Sequence, residues 1–68
     1  MEITVLSKKD HFDCAEYVFE TKEMVAGENF FTFAVYNDGT YEVETLNNEK
    51  KDVYNHFSIF DLLKKTSI

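Results

Sequence analysis

Arginine, proline and tryptophan are missing from this chain of 68 residues, and cysteine and glycine occur once and twice. Each absence closes off a class of protein. Without arginine there is no guanidinium fork for bidentate contact with phosphate or base edges, so direct binding of nucleic acid is disfavoured. The single cysteine, Cys14, cannot close an internal disulfide, and no complete zinc pattern accompanies it, so both of the usual staples of small domains are missing. The two glycines, Gly27 and Gly39, stand apart and form no phosphate-cradling loop. The lack of proline, repeats or a biased linker reads as one domain over 1–68. No apolar run approaches about 15 residues, which argues against a membrane span or a signal peptide. With the lone thiol, this points to a reducing, cytoplasmic compartment.

What the chain does have is rings and carboxylates. Seven Phe and four Tyr let a short chain build a core, since each buried ring removes roughly 150 to 250 Å² from water. A chain of this length buries only about 60% of its unfolded surface, leaving little room for a catalytic pocket. Thirteen acids against seven lysines give a net charge of −6. The charges are also segregated. From Asp10 to Glu49 ten acids face one base, Lys22, while the other lysines come in pairs at 8 and 9, 50 and 51, and 64 and 65. Such a balance serves solubility and also attracts cationic partners.

The spacing of β-prone residues predicts a small antiparallel sheet. Residues 2–7, with Ile3, Thr4 and Val5, read as a short strand. Residues 30–36 and 40–46 read as a hairpin around Asn37-Asp38-Gly39, with Gly39 in the left-handed region. A three-residue loop sets Val35 against Tyr41, Phe33 against Val43 and Phe31 against Thr45, making one side apolar. A two-residue loop would mix acids into that side, which is costly where one face is buried. At the C-terminus Ser58, Asp61, Lys64 and Lys65 mark the cap and dipole of a helix whose buried side would come from Phe57, Phe60, Leu62 and Leu63.

Residues 10–26 admit two readings. As a helix, Asp10 is the N-cap, Gly27 the C-terminal glycine, and Asp13, Glu16, Glu20 and Glu23 form one acidic face opposite Phe12, Ala15, Val18 and Phe19, with Lys22 left to snorkel. As a strand, Ala15, Tyr17, Phe19 and Thr21 alternate with Glu16, Val18 and Glu20. The helix is favoured, so the expected fold is α+β, in which the central hairpin packs against a C-terminal helix and 10–26 form a second helix.

Candidate chemistry is sparse. His11 and Cys14 make half a zinc site, and only His56 and carboxylates could complete it. Cys14, His56 and an Asp could in principle make a nucleophile, base and orienting acid. The simpler reading is a buried thiol and a surface histidine, with no metal, no cofactor and no catalysis. The feature left over is the acidic row of Asp13, Glu16, Glu20 and Glu23, about 15 Å long as a helix face, which partly imitates a phosphate backbone. Glu42 and Glu44 add a second patch, and Tyr17, Phe30 and Tyr36 are candidate aromatic anchors. This describes a protein-binding module that occupies the basic, nucleic-acid-binding surface of a partner. The rival is a structural subunit that forms a homodimer through Phe30, Ala34, Tyr36 and Leu46.

The stretch Phe33-Ala34-Val35-Tyr36-Asn37-Asp38-Gly39-Thr40 resembles the hairpin of some small phage-encoded anti-CRISPR proteins, which carry a similar Ala-Val-Tyr before a polar turn with Gly. The likeness covers about eight residues, and any tight hairpin prefers such a turn. It implies an anti-host inhibitor that acts in the host cytoplasm by binding a nuclease or its guide complex, without catalysis. Residues 10–27 have no counterpart in it, so no site residue is carried over.

Overall fold

The computed structural model describes residues 2–46 and 53–66. The chain runs through β1 (Ile3–Asp10), β2 (Cys14–Val25), β3 (Glu28–Tyr36), β4 (Tyr41–Thr45), a 3₁₀ turn (Tyr54–His56) and α1 (Ile59–Thr66). The strands form one antiparallel sheet in the order β1-β2-β3-β4, so the fold is α+β with the hairpin and the C-terminal helix in place. Glu49, Lys50 and Lys51, part of the charge pattern, lie outside the described residues.

The β3–β4 hairpin has the register that burial of one face requires: Val35 pairs with Tyr41, Phe33 with Val43 and Phe31 with Thr45. Its loop is the three-residue one. The Tyr36 N–H donates to the Thr40 carbonyl at 2.9 Å and the Gly39 N–H to the Tyr36 carbonyl at 3.0 Å, with Gly39 at φ +88°. Asp38 fastens the turn by accepting from the Thr40 N–H at 3.0 Å and the Thr40 hydroxyl at 2.7 Å. Those bonds hold its carboxyl below the usual range.

Residues 10–26 are not a helix. From Cys14 to Val25 they form β2, an inner strand hydrogen-bonded to β1 on one side and β3 on the other. A helix here would bury a stripe interrupted by Lys22, whereas the strand buries Tyr17, Phe19, Thr21 and Val25 and satisfies its backbone against two neighbours. Gly27 is a turn residue rather than a helix terminator. Val25 pairs with Glu28 across Ala26 (φ +52°) and Gly27 (φ +81°), the two positive values that a tight type I′ hairpin turn needs. Just before that turn the register shifts, residues 21–24 of β2 bulging against β3. There the Thr21 hydroxyl, buried with its residue, donates to the Glu23 carbonyl at 2.5 Å. The first strand is longer than the sequence suggests and carries its own irregularity between Val5 and Ser7.

One face of the sheet carries Ile3, Val5, Tyr17, Phe19, Phe31, Phe33 and Val43, and it is closed by Val53, Phe57, Ile59, Leu62 and Leu63. The Phe57 ring meets Phe19 edge-on at 5.3 Å and Phe31 at 5.1 Å, geometry that adds to simple area burial. The 3₁₀ turn packs near β4 and α1 near β1, so the C-terminal segment crosses the sheet. Ser58 caps α1, its Oγ accepting from the Asp61 N–H at 3.4 Å. Phe60 does not join the core and is 74% exposed. At 100° per residue it stands about 200° round the helix from buried Leu62.

Candidate functional site

Strand pleating decides what the opposite face presents. No described element packs on it, and β2 and β4 both turn their even-numbered side chains towards it. Across the sheet, Glu16 and Glu42 flank Ala34, Val18 and Glu44 flank Thr32, and Glu20 lies beside Phe30. The acidic row and the acidic patch, separate in the sequence reading, become one surface of four carboxylates around Val18, Thr32 and Ala34. Ala34 is only 8% exposed, while Phe30 (39%) and Leu46 (46%) form an apolar margin.

Two members of the expected row lie elsewhere. Asp13 sits in the β1–β2 turn, where its carbonyl accepts from the Asn37 N–H at 2.9 Å, and Glu23 sits in the bulge near the other end of β2. A step of ten residues covers about 15 Å in a helix but about 30 Å in a strand, so the spacing that stacked the acids in one conformation spreads them in the other. Tyr17, expected as an anchor, is in the core with its ring 6.2 Å from that of Phe33. On its outer side Lys8 stands 5.8 Å from the ring centre.

Tyr36 is on the acidic face, half-buried, and its hydroxyl donates to Glu42 Oε2 at 2.7 Å. That bond, more than burial, pushes the phenol up to about 12. The same bond lowers Glu42 below the usual carboxylate range. The result is a tyrosine hydroxyl bound to one glutamate, with a second glutamate, Glu44, on the same side of β4.

Nearby cations leave the face acidic. His11 Nε2 lies 3.5 Å from Glu16, and Lys9 is the cross-strand partner of Glu16 on β1. Lys22 stands at the far end beside Glu20 but reaches Glu2 at 3.7 Å, and Lys8 reaches Asp10 at 3.7 Å.

The elements of a catalytic or metal site are not brought together. Cys14 is on the acidic face opposite Tyr36, while His56 lies with Phe57 and Leu62 beneath the other face. Burial and the carboxylates of Asp13, Glu16 and Glu42 raise the thiol further from its reactive form. Among the described residues no three His, Cys, Asp or Glu side chains are grouped to hold a metal ion, and no helix is long and apolar enough to cross a membrane.

Sequence reasoning missed Phe12. Its side chain is fully exposed at the β1–β2 tip, while its carbonyl accepts from Asn37 Nδ2 at 3.3 Å. As a helical residue it belonged to the buried stripe, and only the strand assignment releases it. Compared with known protein families, characterised proteins and solved structures, the chain matches none.

Proposed function

We propose that this is a small acidic protein-binding module, an inhibitor that lays its open sheet face on the basic, nucleic-acid-binding surface of a partner. One observation carries the reading: Glu16, Glu20, Glu42 and Glu44 share a face that no described element covers. Like charges gathered on one side create a directional field, which steers a cationic groove towards the face and repels polyanions. Phe30 at the margin, with the aliphatic surface of Val18 between the acids, provides area for desolvation at the centre of a contact. With the resemblance of residues 33–40 to anti-CRISPR hairpins, the partner we propose is a nuclease or its guide complex in a host cytoplasm. Self-association through Phe30, Ala34, Tyr36 and Leu46 is the weaker alternative, because it would press two sets of carboxylates together. Sedimentation at micromolar concentration is expected to give a monomer.

The test is competition. Wild-type protein and a variant with Glu16→Lys and Glu20→Lys serve as bait in a lysate, and each captured protein is purified and titrated with labelled oligonucleotide. The wild type is expected to displace the oligonucleotide with an affinity that falls steeply as salt is added, and the reversed variant to lose both the affinity and the salt dependence. Displacement indifferent to the charge reversal and to salt defeats the reading.

A further inference from the structure

We infer that β4 is a docking edge, to which an extended lysine- or arginine-bearing segment of the partner adds as a further strand. The inference deepens the proposed function and rests on it. The Tyr36 N–H bonds to the Thr40 carbonyl and the Leu46 N–H to the Phe30 carbonyl, so the even-numbered residues of this strand face β3. Tyr41 and Val43, between them, therefore point their N–H and C=O groups away from the sheet. A row of outward donors and acceptors is a template for another strand.

The two edges of the sheet differ in how they are guarded. β1 is broken by the irregularity at Leu6 and carries Lys8 and Lys9, with Lys8 paired to Asp10. Such features blunt an edge. β4 pairs with β3 through an unbroken register from Tyr41 to Thr45 and carries only acids, Glu42 and Glu44, both exposed.

Those acids choose the occupant. If a second copy paired its own β4 antiparallel about Val43, Glu42 would lie opposite the partner's Glu44 and the reverse, and like charges directly opposed destabilise a ladder. In an antiparallel strand bonded to Tyr41 and Val43, the residues facing Glu42 and Glu44 occupy the non-hydrogen-bonded pairs, where Cα atoms approach to about 4.5 Å. Lysine or arginine at those alternating places meets each carboxylate at close range, with valine or threonine between them continuing the apolar side. The same charges that exclude a self-pair recognise a basic strand.

The probe is a capped peptide, Thr-Lys-Val-Lys-Val-Lys-Thr, with a control of the same sequence in which both valines are N-methylated. The control keeps every charge and loses the two valine donors that would meet Tyr41 and Val43. On adding the peptide to ¹⁵N-labelled protein, amide exchange is expected to slow at Tyr41 and Val43 and to stay unchanged in β1, with the N-methylated control binding at least about tenfold more weakly. Glu42→Gln with Glu44→Gln is expected to weaken the peptide while leaving the sheet spectrum intact. Equal binding of the two peptides, unchanged exchange at Tyr41 and Val43, or no binding at all overturns the edge assignment. None of these results touches the competition assay, whose charge reversals sit on β2, so the two readings fail separately.

Discussion

At the scale of single residues, two positions hold more tension or more charge than their neighbours. Ala26 has φ +52° in a turn whose two central residues must both be left-handed, and a non-glycine residue other than Asn or Asp is there at a cost of about 1 kcal/mol. Ala26→Asn is expected to stabilise the fold by about that amount, raising the thermal midpoint by roughly 4 to 8 °C for a domain of this size. Gly27 beside it should not tolerate a side chain as well, since its φ is +81°. The second position is the Tyr36–Glu42 bond. Tyr36 is raised to about 12, so its contribution to stability is complete below the unfolded value near 10 and is lost as pH rises from there through about 12. Glu42 is lowered, so its contribution is present above the unfolded value and is lost as pH falls through the folded one. Tyr36→Phe should therefore destabilise the protein most between those limits, by no more than about 1 kcal/mol for so exposed a bond, and the difference should shrink at both extremes. Denaturant titrations at a series of pH values measure it. Near-ultraviolet phenolate absorbance should also lose a tyrosine that titrates at about 12.

At the scale of elements, β2 and α1 show how far packing separates residues that look alike in the sequence. Phe19 and Phe60 are both aromatic residues in apolar surroundings, yet Phe19 is 1% exposed between Phe31 and Phe57. Phe19→Ala is expected to cost about 3 to 5 kcal/mol, a large part of the stability of a domain this small, and Phe60→Ala less than about 0.5 kcal/mol. Circular dichroism of the two variants under urea separates them, and similar losses would contradict the orientation of α1. The inner position of β2 also accounts for the loss of the helical acid row. A strand in the middle of a sheet has only two faces, so each acid of the row is set by parity, and Glu16 and Glu20 fall on the face that Glu42 and Glu44 already occupy.

At the scale of the whole molecule, the net charge is −6, and among the described residues the acids are distributed unevenly over the two sides of a thin sheet. The covered side is aromatic, and the open side has four carboxylates within a few strand spacings of each other. Mutual repulsion of that kind is relieved by screening, whose range shrinks from about 10 Å at 0.1 M salt to about 3 Å at 1 M. The thermal midpoint is therefore expected to rise with sodium chloride over this range, and the slope to flatten in the Glu16→Lys, Glu20→Lys variant. A midpoint independent of salt would mean that the carboxylates do not act on one another.

Local chemistry determined much of this protein. Asn37-Asp38-Gly39 and the alternation on either side of it specify the β3–β4 turn and register, because a slip by one residue would bury Glu42 and Glu44. Ser58, Asp61 and the terminal lysines mark α1 for the same kind of reason, a cap and a dipole that act within a turn. Tertiary structure alone decided β2. Its residues satisfy a helical period and a strand period about equally well, and the choice depends on whether two neighbouring strands can take up its backbone groups and whether Phe57 can close over Phe19. The composition of the acidic face followed from that choice. Glu16 and Glu20 joined Glu42 and Glu44, Tyr17 went into the core, and Asp13 and Glu23 moved to opposite ends, because side-chain direction in a sheet is set by pairing partners distant in the chain.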